Sequence, residues 1–246
     1  MKALNISYGC DELQKYDIFW GHNMVNAPIV ISVHGGGWWS GDKRKQMGFS
    51  GNCYESGCVF ATINYRFGQY PEPVEDVALA IKHIQENAVN YAADASKVIL
   101  HGFSSGAHLA ALVSYDNTWL SNVGFIGRPL GFIGLSGVYQ FDLVAAQQRV
   151  KDFLGPVYGY GNWEVAEPIN HVTEDDPPAL LIVGEYDTFV GVENTTNFAA
   201  KLDAGNVPGI VEIVPGLNHN AVLWQFKNND QMQTASTSFL ASVTEN

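Results

Sequence analysis

The sequence predicts an α/β fold, a mostly parallel sheet of about eight strands with helices on both faces. Three observations carry that reading. Short apolar, β-branched runs recur at Ile29–Val33, Cys58–Tyr65, Val98–Leu100, 130–138, Ala179–Val183 and Ile210–Val214, as strands buried on both faces require. Segments with helical spacing separate them. Most of the runs end in glycine or polar punctuation, the mark of the C-terminal strand edge where sites in such sheets gather.

In chain order, residues 1–26 read as one or two short strands around Leu4–Tyr8 and Tyr16–Trp20. Ile29–Val33 follows and ends in His34-Gly35-Gly36-Gly37-Trp38-Trp39. Asp42 is placed to cap a helix over Lys43–Ser56. After the Cys58–Tyr65 strand, Val74, Val77, Ile81, Ile84 and Ala88 recur at steps of three and four, a helix with Pro73 in its first turn. Val98–Leu100 turns through Gly102-Phe103-Ser104-Ser105-Gly106 into a small-residue helix. A fourth buried strand over 130–138 leads to an aromatic and glycine-rich region. Ala179–Val183 is a strand ending at Gly184-Glu185-Tyr186-Asp187, and a helix spans Val192–Leu202. Ile210–Val214 ends at Pro215-Gly216-Leu217-Asn218-His219, and Met232, Ala235, Phe239, Leu240 and Val243 mark a last helix. No repeat or linker divides the 246 residues, so 1–246 reads as one domain with a small insertion or lid around 139–176.

Composition excludes several function classes. A net charge of −12 argues against nucleic acid or an anionic membrane as partner. No run approaches the roughly 20 apolar residues of a membrane span, and the N-terminus lacks the apolar core of a secretory signal. The expected location is therefore cytoplasmic. Cys10, Cys53 and Cys58 have no metal-ligand spacing and read as free thiols; a Cys53–Cys58 disulfide is the alternative, disfavoured in a reducing compartment. No metal or cofactor is expected.

Four punctuated segments fall at strand C-termini: His34–Gly37, the turn around Ser104, Asp187 and His219. Gly102 and Gly106 flank the serine where strand and helix backbones must approach closely. A serine hydroxyl needs a base to become a nucleophile at neutral pH, and a histidine supplies one. An acid must then hold the imidazole tautomer. Ser104, His219 and Asp187 take these roles, with Glu185 and Asp176 left open as other acids. The amides of Gly36, Gly37 and Ser105 are the expected oxyanion donors. His34 reads as an anchor for the glycine loop. Trp38, Trp39, Phe103 and Tyr139 are the expected substrate contacts, and the aromatics of 139–163 are left open between packing and pocket wall.

With these residues in hand, the chain resembles the α/β-hydrolases of the esterase/lipase superfamily. It looks closest to the hormone-sensitive-lipase-like, feruloyl-esterase-like and kynurenine-formamidase-like branches. The carriers are HGGGWWSGDK (34–43), NYRF (64–67), GFSSGAHLAA (102–111), SGVYQFD (136–142), EPINHV (167–172), LLIVGEYDTFV (180–190) and PGLNHN (215–220). The order Ser104, Asp187, His219 is that of this fold and differs from the two other common serine-protease orders. Phe103 stands where the hormone-sensitive-lipase-like branch carries an acidic residue, and the N-terminal cap is shorter. Both departures favour the smaller esterase and formamidase-like branch.

The resemblance implies a serine carboxylesterase acting on small acyl or aryl esters through an acyl-serine. Arylformamidase action by the same triad is the alternative. A catalytically silent binding protein on the scaffold would carry a broken triad or glycine loop, which is not seen. The expected partner is a small-molecule ester, with neither nucleic acid nor membrane, and the chain is expected to be a monomer or homodimer.

Overall fold

A computed structural model describes residues 1–245. Eight strands form one sheet in the order β1-β2-β4-β3-β5-β6-β7-β8. They are β1 (Lys2–Ser7), β2 (Lys15–Phe19), β3 (Ala27–Val33), β4 (Val59–Ile63), β5 (Ala93–Phe103), β6 (Gly131–Leu135), β7 (Ala179–Gly184) and β8 (Gly209–Val214). Strands β3 to β8 pair in parallel, while β1 pairs with β2 and β2 with β4 in antiparallel fashion. The fold is the expected α/β-hydrolase sheet.

The helices are α1 (Ser50–Glu55), α2 (Glu72–Glu86), α3 (Ser105–Tyr115), α4 (Thr118–Asn122), α5 (Gln147–Leu154), α6 (Pro156–Gly159), α7 (Val192–Ala204), α8 (His219–Trp224) and α9 (Asp230–Thr244). Alternation along the buried strands builds two cores, one on each face of the sheet. Ile29, Ile31 and Val33 of β3 face α2 and α3, in a core that also holds Phe198 and Leu202 of α7. Val30 points the other way, into a core with Cys53 of α1 and Met232, Phe239 and Leu240 of α9.

Two expectations need correction. The helix expected over Lys43–Ser56 is instead a 3-10 segment, Lys43–Phe49, followed by the six-residue α1. Tertiary bonds shape its start: Lys43 is buried against Asp17 at 3.3 Å, and its amide donates to Asn64 Oδ1. Asp42 does cap the segment, accepting from the Arg44 amide. The strand expected over 130–138 stops at Leu135, because Ser136 takes a positive φ of 45° and leaves the sheet. The cysteines are free thiols, as expected: Cys53 and Cys58 are buried and Cys10 is exposed.

The 139–176 region folds as a chain of short helical segments. Its aromatics mostly pack: Phe141 and Phe153 are buried in the core, and Tyr158 stacks on Trp163. Among the described residues no helix is long and apolar enough to cross a membrane.

Candidate active site

β5 delivers Ser104 to the C-terminal edge of the sheet, and α3 begins at the next residue. The turn is tight enough to exclude side chains on either side. A Cβ on Gly102 would sit 2.5 Å from the Gly106 carbonyl, and one on Gly106 would collide with the carbonyls of Val33 and His34. Ser104 itself is held at φ 54°, ψ −124°, a conformation that costs an L-residue of order 1–3 kcal/mol. The Ser104 amide is tied to the Leu135 carbonyl at 2.9 Å.

His219 opens α8, after β8 and a turn through Gly216. Its Nε2 lies 2.9 Å from Ser104 Oγ, and its Nδ1 lies 2.8 Å from Asp187 Oδ2. These partners assign the tautomer, with Nδ1–H donating to the carboxylate and Nε2 accepting from the serine hydroxyl. Asp187 follows β7, and its Oδ1 accepts from the amides of Phe189 and Val190, each at 3.0 Å. Burial alone would raise the Asp187 pKa. The bonds from His219 and from the Val190 amide outweigh burial and hold it below the usual carboxylate value. The Ser136 hydroxyl favours the carboxylate too, although it does not reach hydrogen-bond geometry. The other two acids lie elsewhere: Glu185 accepts from the Gly216 amide, and Asp176 binds Arg128 at 2.5 Å.

The glycine loop after β3 covers the serine. Gly36, Gly37, Ser104 and Ser105 all line one cavity of about 460 Å³. Among the described residues the amides of Gly36, Gly37 and Ser105 donate to no acceptor within the chain. Gly36 (φ 138°) and Gly37 (φ 63°) hold backbone conformations that side chains rarely adopt, and a Cβ on Gly36 would strike the Ser40 carbonyl.

His34 anchors the loop, its Nδ1–H donating to the Gly35 carbonyl and its ring stacked on Tyr65 at 4.5 Å. Trp38 is buried, stacked on Phe153 of α5 at 4.5 Å. Its indole N–H donates to His108 Nδ1 at 3.1 Å, and His108 Nε2–H donates to the Ala166 carbonyl at 2.7 Å. One buried imidazole of α3 thus joins the glycine loop to the 139–176 region. Burial lowers the His108 pKa from 6.5 to about 4, which keeps it neutral and able to accept from Trp38.

Ser104, Asp187, His219, Gly36, Gly37, Ser105, Trp38 and Phe103 therefore converge on one cavity or its supporting bonds. Two expected contacts do not. Tyr139 is fully buried, stacked on Phe198 of α7 at 4.3 Å, because the chain turns under the sheet edge after Ser136. Trp39 misses the serine cavity and lies in an adjoining groove. Sequence reasoning missed Val144, Arg149, Phe189, Val190, Leu223 and Trp224 in the cavity wall. Phe189, only two residues after Asp187, was within reach of a reading by proximity. Val144 and Arg149, in an aperiodic insertion, carried no signal. Among the described residues no three His, Cys, Asp or Glu side chains come together to hold a metal ion.

Known proteins resemble this chain in sequence and in fold. The model of the family described as BD-FAE matches residues 16–202. Esterase LipQ of Mycobacterium tuberculosis is 27% identical over 235 residues, covering 88% of this chain and 56% of LipQ. The chain thus spans little more than half the length of that relative. Among solved structures, a truncated form of a carbohydrate esterase from gut microbiota superposes with a TM-score of 0.88 at 22% identity, covering 100% of this chain and 97% of that one. An acetyl ester-xyloside bifunctional hydrolase from Caldicellulosiruptor lactoaceticus gives 0.81 at 22% identity, covering 93% and 88%. At such identity the structural likeness speaks to the fold.

Proposed function

This chain belongs to the BD-FAE family of the α/β-hydrolase superfamily, and from that premise we propose that it is a serine carboxylesterase acting on small acyl or aryl esters of carbohydrates. The observation that carries the reading is the unbroken row Ser104–His219–Asp187, bonded at 2.9 and 2.8 Å and opening into one cavity. The carbohydrate half of the substrate rests on the two structural relatives described as acting on sugar esters or xylosides.

In this reading Ser104 Oγ attacks the ester carbonyl carbon while His219 Nε2 takes its proton. Asp187 holds the imidazole and stabilises the imidazolium. The amides of Gly36, Gly37 and Ser105 receive the negative charge that develops on the carbonyl oxygen, and each such donor is worth about 10²–10³ in rate. Collapse of the tetrahedral intermediate breaks the bond to the alcohol oxygen, which leaves with the proton held by His219. Water, deprotonated by the same nitrogen, then cleaves the acyl-serine and releases the acid. Neither the site nor the relatives favour the formamidase alternative.

A fluorophosphonate probe with peptide mapping tests the reading. Labelling at Ser104, accompanied by loss of ester hydrolysis, supports it. Labelling of any other residue, or full hydrolysis by the labelled protein, counts against it.

A further inference from the structure

The glycine loop carries a second tryptophan that faces away from the core. Trp38 takes a left-handed φ of 65°, and with its ring buried the next residue, Trp39, remains outside with 41% of its surface exposed. A bulky residue in that region is a strained outlier held by its surroundings, here by the Phe153 stack and the His108 bond. The exposed indole opens a groove of about 450 Å³ whose other walls are Gln69, Arg149 and Asp152. Arg149 also lines the serine cavity, so groove and cavity share a wall.

The polar groups of the groove have capacity to spare. Among the described residues Arg149 has no ion-pair partner, in a chain of net charge −12. Its guanidinium lies over the glycine loop, where a Cβ on Gly37 would come within 3.0 Å of Nη1. The Gln69 carboxamide makes no hydrogen bond within the chain among the described residues. It lies over Gly155, where a Cβ would meet it at 2.6–2.8 Å. Asp152 accepts from Gln148 through Oδ1 alone.

We infer that Trp39, Gln69, Arg149 and Asp152 form a glycosyl subsite, which binds a neutral sugar ring of the substrate beside the ester bound at Ser104. The inference rests on the carbohydrate-ester reading and extends it. A polyanion would meet Asp152 and the overall negative charge, and an alkyl chain would leave the guanidinium and carboxylate desolvated and unpaired. A neutral pyranose meets both demands. Its hydroxyls donate to Asp152 and accept from Arg149 and Gln69, and its C–H face lies on the electron-rich indole face. In an ester of a sugar hydroxyl the sugar is the alcohol that departs, so this subsite would hold the leaving group.

The test compares kcat/KM on O-acetylated β-1,4-xylo-oligosaccharides with kcat/KM on p-nitrophenyl acetate, for wild type, Trp39→Ala and Gln69→Ala. The subsite predicts that the saccharide-to-aryl-ester ratio falls at least tenfold in Trp39→Ala and severalfold in Gln69→Ala, mainly through KM. Calorimetric titration of Ser104→Ala with unacetylated xylo-oligosaccharide should detect binding that Ser104→Ala/Trp39→Ala loses. If wild type prefers the acetylated saccharide but the ratio is unchanged in both variants, the subsite is wrong and the carbohydrate reading survives. If wild type shows no preference for the saccharide ester, the carbohydrate reading falls and the subsite with it.

Discussion

Both carboxylate oxygens of Asp187 are engaged, Oδ2 by His219 and Oδ1 by two backbone amides. Asparagine preserves the shape but cannot accept from His219 Nδ1–H on its amide nitrogen, so the imidazole settles in the wrong tautomer. Asp187→Asn is therefore expected to lower kcat by about 10⁴ with the fold intact; a loss under tenfold would mean that another group orients His219. At Ser104 the backbone conformation makes a second prediction. Ser104→Ala keeps the strained φ, whereas Ser104→Gly relieves it. Both should be inactive, yet the glycine variant should be the more stable by about 1 kcal/mol in urea unfolding, strain relief of 1–3 kcal/mol outweighing glycine's 0.5–1 kcal/mol entropy cost. Equal stability of the two would show that the turn is unstrained.

At the scale of elements, the loop that follows β3 buries His34, and β5 and α3 bury His101 and His108. Burial lowers their pKa values from 6.5 to about 4, 3 and 4 respectively. The fold keeps them neutral while the unfolded chain protonates them below 6.5. The unfolded state thus binds more protons through that window, so stability falls as pH drops from 6.5 towards 4. Between pH 7 and 5.5, above most carboxylate titration, each should cost about 1 kcal/mol. Thermal melts across that range should show a steady drop in Tm, and a flat profile would mean that these imidazoles are not held neutral.

The same elements show what could be read in advance. Strand ends followed by glycine announce themselves, because a backbone forced into a tight turn restricts which residues fit. Ser104, Asp187, His219 and the Gly36–Gly37 loop were legible for that reason. Tyr139 was not, nor was the side of the loop that Trp39 takes, since an aromatic residue after a strand looks alike whether it turns into the core, into the cavity or into solvent. The chain direction at Ser136 and Trp38, both at positive φ, decides it, and neither residue type signals that conformation.

Across the whole molecule the two cores meet at the site. Trp38, Val138, Val144 and Val190 belong to the core on the α2–α3 face, Phe103 belongs to the core on the α9 face, and all five line the serine cavity. The 139–176 region contributes Val144 and Arg149 to that wall and is tied to α3 through His108. We propose it as the element that shapes the pocket entrance within a single domain. Hydrolysis of p-nitrophenyl acetate by wild type and Ser104→Ala, purified side by side, tests the role of Ser104 as nucleophile. Turnover by wild type with at least a 10⁴-fold loss in Ser104→Ala is the expected result. A Ser104→Ala protein that retains the wild-type rate would contradict it.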